Sequence, residues 1–365
     1  MLDNLNKIIT EDVAEIISDK NIDWNRLSGK TVFITGANGF LPAYMVLTLL
    51  GLNDELNLGI KILALVRNQA KAEARFKDLL KRDDIKLIVQ DVSKPISIEE
   101  DIHFIIHAAS QASPKFYGSD PVGTINANVL GTSYLLELAA RKKVEKFLFF
   151  SSSEIYGLVD ENNIPITEKD YGYIDPTNVR SCYSEGKKLG ETLCVSWMHQ
   201  YQVPVSIIRI FHTYGPGMDL YDGRVFADFI ADIVYNRDIV MKSDGAAVRA
   251  FCYLTDAITG YFLVMLHGVN GEAYNVGNTE GEISVIDLAE KLITLFPEKN
   301  LKVIRKEQLV TGYIQSSVQR VVPNTDKLQA LGWKAKVDVA TGFKRTITSC
   351  TIESELNTIS GILKD

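Results

Sequence analysis

Cysteine is scarce and scattered. Cys182, Cys194, Cys252 and Cys350 are the only four in 365 residues, with no C-x-x-C pair and no Cys/His spacing of the metal-binding kind. A disulfide-stapled scaffold and a zinc module are both excluded, and isolated thiols in a reducing cytoplasm are expected. No run approaches the roughly 18 apolar residues that cross a bilayer, so no membrane association is expected. The opening stretch MLDNLNKIITEDVAEIISDK places acids among its apolar positions and lacks the continuous apolar centre of a signal peptide. Basic charge is not in excess either. Lys and Arg number 39 against 46 acidic residues, a net −7 without blocks, whereas a nucleic-acid surface needs a basic stripe. Repeats and low-complexity tracts are absent, and 46% hydrophobic with 23% charged residues is ordinary for a globular chain.

What is present is alternation. Residues 1–28 read as an amphipathic helical extension, with Leu5, Ile8, Ile9, Val13, Ile16 and Ile17 near helical spacing. From Lys30 short β-rich runs follow: TVFIT, IKILALV, IKLIVQ, HFIIHAA, KFLFFSS and VSIIRIF. Between them lie helical stretches such as AYMVLTLLGL, AKAEARFKDLLKR and TSYLLELAARK. Such alternation predicts a Rossmann-like α/β fold, a doubly wound parallel sheet with helices on both faces. The pattern fades after Ile210, where turn signals such as GPGM, SDG and VGNTEGE accumulate. The expected organisation is a nucleotide-binding core over 29–210 and a smaller, mostly substrate-binding α/β part over 211–365. Ligands in such sheets lie outside the carboxyl ends of the strands.

The first strand runs into TGANGFLPAY. Gly36 permits the tight turn, and Gly39 lets backbone approach a pyrophosphate at a helix N-terminus. The expected cofactor contacts in this turn are Gly36, Asn38, Gly39 and the amides of Phe40 and Leu41. Pro42 stands where a third glycine is usual. It lacks an N–H, but first-turn amides have no intrahelical partner, so the phosphate site survives with local distortion expected at Leu41. The second strand ends at Arg67, which suits a 2′-phosphate as well as free ribose hydroxyls, so NAD and NADP both remain open. Asp91-Val92, after the third strand, is placed at the adenine edge.

Further along, SCYSEGKK puts Tyr183 and Lys187 four apart, on one helix face. A lysine near a phenol draws the tyrosine pKa down from about 10, and a tyrosinate can take a hydroxyl proton while a nicotinamide takes the hydride. FSSSEIYG sets Ser152 at the carboxyl end of the fifth strand, within reach of a substrate hydroxyl and Tyr183, with Glu154 beside it facing a sugar.

In combination, GANGFLP, HAAS (107–110), SSSEIYG, YSEGKK and RIFHTYGPGM resemble the extended short-chain dehydrogenase/reductases that modify nucleotide sugars. The likeness spans about Lys30 to Lys344. Within that family ASQASPKFY, SCYSEGKK, GPGMDLYDGRV and VRAFCYLTD are most similar to the uronate decarboxylases. The resemblance implies bound NAD and a nucleotide sugar, with a UDP-sugar favoured. Tyr183 is implied as base, Lys187 as cofactor anchor, Ser152 as hydroxyl partner and Glu154 as the decarboxylase carboxylate. Ala108, Ala109 and Thr213 are implied at the cofactor, and Tyr117, His212, Arg224 and Arg249 at the substrate. His212 departs from the family's asparagine. Ser153 stands where the sugar dehydratases carry an aspartate, which argues against dehydration. The expected activity is C4 oxidation followed by decarboxylation, with 4-epimerisation or net reduction with NADP as alternatives. A homodimer through helices around 124–141 and 181–201 is implied by resemblance alone.

Overall fold

The computed structural model describes residues 6–306 and 318–359, with side chains given as far as Ser354. Leu5, and the parts of the 1–28 and 211–365 spans at 1–5, 307–317 and 360–365, lie outside the described residues.

Six of the apolar runs form the strands β1 (Thr31–Thr35), β2 (Lys61–Val66), β3 (Ile85–Val89), β4 (Phe104–His107), β5 (Lys146–Ser152) and β6 (Val205–Ile210). They lie parallel in the order β6-β5-β4-β1-β2-β3. Their sequences are continuously apolar because both faces are covered. Val32 and Ile34 point into one apolar cluster and Phe33 into the other; Leu148 and Phe150 are likewise divided from Phe147 and Phe149.

Helices fill the two faces: α1 (Lys7–Ile17), α2 (Phe40–Leu56), α3 (Gln69–Phe76), the short α4 (Lys115–Ser119), α5 (Pro121–Lys142), α6 (Ser181–Tyr201), α7 (Val225–Val234) and α8 (Leu254–His267). The first cluster is closed by α1, α2 and α8, the second by α5 and α6. The helix expected through AKAEARFKDLLKR divides at Lys77, whose φ of 43° ends α3 and starts a 3-10 turn.

The boundary placed at residue 210 needs correction. A seventh strand, Ala273–Val276, pairs in parallel with β6 and extends the same sheet, so the later half of the chain re-enters the core through α8. The rest of that half builds small two- and three-stranded sheets around Val248–Ala250 and Ile239–Met241, above the strand ends. Among the described residues no helix is long and apolar enough to cross a membrane.

The extension is not a free arm. Ile9, Val13, Ile16 and Ile17 are buried, and Asn6 caps α1 while donating to the Ser349 carbonyl at 3.1 Å. On the same face Asp12 is fully buried. Its carboxylate accepts from the Tyr253 hydroxyl at 2.8 and 3.0 Å and from Tyr44 at 3.5 Å, with Arg345 at 3.4 Å and Glu15 also paired to Arg345. Burial raises the Asp12 carboxyl to about 7, against the pull of Tyr253 and Arg345.

A carboxyl raised on folding binds its proton more tightly in the native state than in the unfolded chain. The Asp12 contribution is therefore fully present below its ordinary 3.8 and is lost as pH rises through about 7. That interval corresponds to at most roughly 4 kcal/mol. Urea unfolding of Asp12→Asn and parent, followed from about pH 5 to about pH 8, should show the variant gaining on the parent as pH rises. A difference that stays constant with pH would mean that Asp12 is ionised in the fold throughout.

Candidate functional site

The carboxyl ends of the strands open into one cleft of about 1530 Å³. Its first wall is the turn after β1. Gly36 takes φ +65°, and a Cβ there would stand 2.8 Å from the Ala109 Cα. Thr35 Oγ1 accepts from the Ala109 amide at 3.2 Å and bonds the buried His107 ring at 2.9 Å, tying the β1 turn to the turn after β4. Burial pushes His107 down to about 3, with Lys187 adding to it, so this histidine is a neutral spacer between Thr35 and Thr132.

Gly39 is the N-cap of α2 and offers no side-chain cap, which leaves the first amides of the helix, at Phe40 and Leu41, to a ligand. The distortion expected from Pro42 is not found: α2 runs from Phe40 without a break, because Pro42 sits in the first turn, where its missing N–H has no helical acceptor to lose. Arg67 is exposed at the end of β2, near enough to lower Asp91 and Asp120 electrostatically. Asp91 accepts from the Ser93 amide and hydroxyl, and the Val92 side chain is buried in the second apolar cluster, so only the backbone of Val92 can meet a ligand.

The catalytic candidates meet at the ends of β5 and α6. Ser152 Oγ caps the turn at 153–156, accepting from the Glu154 amide at 3.2 Å, and lies close enough to Tyr183 to lower its pKa against burial. Lys187 donates to the Phe150 carbonyl at 2.6 Å and lies 5.8 Å from the Tyr183 ring centre. The expected drop in the Tyr183 pKa is absent. Burial pushes the phenol up to about 12, opposed by the Ser152 hydrogen bond; the charges acting on it are Glu154, which raises it, and Arg224, which lowers it. Lys187 itself is driven down to about 7 by burial, with Glu191 resisting. Desolvation outweighs the lysine here because the ammonium is turned to a backbone carbonyl.

The substrate candidates, and Thr213 of the cofactor set, are gathered in the same cleft, several of them with a definite holder. Arg224 is paired with the buried Asp222. Arg249 donates to the carbonyls of Val248, Gln319 and Val318. Thr213 donates to the Phe211 carbonyl at 3.1 Å. Tyr117 also lines the cleft; its hydroxyl donates to the Ala112 carbonyl at 3.0 Å, and its ring stacks on Tyr183 at 5.1 Å and 17°. It braces the tyrosine. His212 is pushed down to about 3 by burial and by Arg249 and Arg224, so it is neutral; among the described residues its Nδ1 bonds no protein atom. Ser110 Oγ, also on the cleft wall, is similarly without a partner among the described residues. A glycine cradle, an uncapped helix start and two orphaned polar atoms are what a bound dinucleotide and its co-substrate would use.

Three residues, Arg180, Glu191 and Arg209, escaped the sequence reading. Arg180, three before Tyr183, forms a two-pronged ion pair with Glu154. Glu191, four after Lys187 and so on the same helix face, accepts from Arg209 at 2.7 and 3.0 Å and from Ser151. The i,i+3 and i,i+4 spacings were visible; the partners on other strands were not.

Comparison with known proteins agrees with this geometry. Residues 32–277 match the NAD dependent epimerase/dehydratase family. UDP-glucuronic acid decarboxylase 6 of Arabidopsis thaliana is 33% identical over 87% of this chain and 87% of its own length. UDP-glucuronic acid decarboxylase 1 of Xenopus tropicalis is 32% identical over 87% of this chain and 71% of its own. Among solved structures, an epimerase from Methanothermobacter thermautotrophicus superposes with a TM-score of 0.78 at 22% identity, covering 96% of this chain and 98% of the other. The UDP-glucuronic acid 4-epimerase of Bacillus cereus, solved with UDP-glucuronic acid and NAD, gives 0.72 at 20% identity over 88% and 99%. These two likenesses are of fold.

Gly36→Ala should lose roughly 1–3 kcal/mol of stability, because the new Cβ meets backbone and the left-handed φ is strained. It should also weaken NAD binding at least about tenfold, read by fluorescence titration. Gly39→Ala, at φ −68° with contacts of 3.1–3.2 Å, should cost less on both readouts. Equal losses would mean that the Ala109 approach is not the tight point.

Proposed function

The chain belongs to the NAD-dependent epimerase/dehydratase family, and we propose that it is a nucleotide-sugar decarboxylase acting on a UDP-linked uronic acid, UDP-glucuronate in the first instance. The observation that carries the reading is Glu154 at the end of β5, beside the Ser152–Tyr183 pair and preceded by Ser153, with Arg224 and Arg249 on the same cleft wall. The one-third identity to UDP-glucuronic acid decarboxylases over most of both chains supports it. The residues suit NAD: Gly36, Asn38, Gly39 and the Phe40 and Leu41 amides at the pyrophosphate, Arg67, Asp91 and the Val92 backbone at the adenosine, and Ala108, Ala109, Thr213, Tyr183 and Lys187 toward the nicotinamide.

NAD, when bound, would supply a reversible hydride acceptor at C4 of the sugar. Tyr183, beside Ser152, takes the proton of the C4 hydroxyl in its ionised form, which burial in the cleft disfavours. With a ketone at C4, the carboxylate on C5 is that of a β-keto acid; its C–C bond breaks, carbon dioxide leaves, and the electron pair moves to the C4 oxygen as an enolate. Ser152 and Tyr183 donate hydrogen bonds to that oxygen. Glu154 and Arg249 hold the sugar while C5 takes up a proton, and His212 and Arg224 line its approach, with Tyr117 bracing the base. C5 takes its proton from solvent and Tyr183 returns its own to the C4 oxygen, so that carbon and charge balance at a pentose and carbon dioxide.

Two further features belong to this reading. Val122, Ile125 and Leu130 on α5 and Leu189 and Val195 on α6 are exposed apolar side chains on two helices packed together, which supports a homodimer with these helices at the interface. Four buried, unpaired thiols support a cytoplasmic setting.

Proton NMR of the enzyme with UDP-glucuronate and NAD should show loss of the C5 substituent signals and appearance of a UDP-pentose or its 4-keto precursor. Retention of all six sugar carbons with a changed C4 centre would establish epimerisation instead, and net consumption of added NADPH would establish a reductase. Tyr183→Phe should lower turnover by roughly 10²–10⁴ with melting temperature retained. Sedimentation should give twice the chain mass for the parent, and Val122→Lys with Leu189→Lys should give a monomer; a monomeric parent would remove the dimer.

A further inference from the structure

Arg180 immediately precedes α6, three residues before Tyr183. Its guanidinium bonds both oxygens of Glu154, at 2.7 and 3.0 Å, the fork-on-carboxylate geometry that arginine makes and lysine does not. It also lies 5.7 Å from the centre of the Tyr117 ring, which stacks on Tyr183. Glu154, Arg180, Tyr117 and Tyr183 thus form one continuous stack along the cleft wall. The two ionic side chains are 32% and 19% exposed, partly sheltered from screening by solvent.

The stack has an electrostatic consequence for any acidic ligand. A lone Glu154 carboxylate next to Ser152 and Tyr183 would set a negative charge beside the sugar, and like charges within a few ångströms in a sheltered cleft are strongly unfavourable. A neutral hexose would be indifferent to it; a uronic acid would be repelled. We propose that Arg180 is a specificity-determining positioning residue, one that neutralises and orients Glu154 so that the cleft accepts a sugar bearing a carboxylate. This rests on the uronate reading given above. The role differs from that of a residue that grips the substrate carboxylate itself: in the present case the requirement for Arg180 exists only because Glu154 is charged.

That dependence makes a double-variant test decisive. Dissociation constants for UDP-glucuronate and for UDP-glucose are measured by calorimetry on the NAD-loaded parent, Arg180→Gln, Arg180→Lys, Glu154→Gln and the Arg180→Gln/Glu154→Gln double variant, each checked for parental melting temperature. Arg180→Gln is expected to weaken UDP-glucuronate roughly 10- to 30-fold while changing UDP-glucose less than about threefold. Arg180→Lys, which keeps the charge but not the fork, should weaken UDP-glucuronate less than Arg180→Gln does and leave UDP-glucose within about threefold of the parent. Adding Glu154→Gln to Arg180→Gln should restore UDP-glucuronate binding to near the parental value. If the double variant binds the uronate as weakly as Arg180→Gln, the proposal is overturned and Arg180 contacts the substrate carboxylate directly. Equal weakening of both ligands also overturns it, as a general structural role. A parent that binds UDP-glucuronate no better than UDP-glucose and leaves it unchanged by NMR would instead sink the uronate reading, whatever the variants do.

Discussion

The close approach of two backbone turns governs everything at the mouth of the sheet. β1 and β4 are neighbours in register, and at their carboxyl ends Gly36 and Ala109 come so near that no side-chain carbon fits between them. Thr35 uses one hydroxyl to hold the Ala109 amide and the His107 ring. With these two turns locked, the start of α2 and the end of β5, where Ser152 and the base lie, line one cleft. The cleft is thus a consequence of parallel register plus one glycine, and the loops that line it are positioned by the strands beneath them.

Within the cleft, removal of water decides more than pairing of charges. Burial lifts Tyr183, lowers Lys187 and holds both His107 and His212 neutral. The charged groups that persist are those given a fixed partner: Arg224 by Asp222, Glu154 by Arg180, and Arg209 by Glu191 behind the β5 end. Each pair satisfies the general condition for keeping an ion in a poorly solvated place, which is good geometry on both sides. A site so built has little spare mobile charge, and its response to a ligand depends on which existing pair that ligand disturbs.

Much of this was legible beforehand, for reasons that can be named. Parallel strands buried on both faces read as unbroken apolar runs, which is why β1 to β6 stand out. The Ala273–Val276 strand did not, since its four residues include Asn275, a polar side chain made tolerable only by the carbonyls of Ile166 and Asn324 and the Tyr156 hydroxyl. Tyr183 and Lys187 were found through their helical spacing. Their electrostatics were not, because a pKa inside a cleft depends on burial that no spacing encodes. Arg249 was placed in the cleft by resemblance, but its donors go to carbonyls about 70 residues away at 318 and 319. The Arg180–Glu154 pair joins a helix start to a strand end, so neither local stretch announced it.

One feature set far from the cleft bears on how the chain reaches this state. α1 is fastened by Asn6 to Ser349 and by Asp12 and Glu15 to Arg345, contacts more than 300 residues apart in sequence. On the ribosome, the first helix emerges long before these partners are made. Its face of Ile9, Val13, Ile16 and Ile17 is covered by α2 and α8, and the last of its bonds closes once residues 345–349 have been synthesised. α1 is therefore made more than 300 residues before the side chains that fasten it, and a chain cut short before residue 345 would leave Asp12 and Glu15 without Arg345.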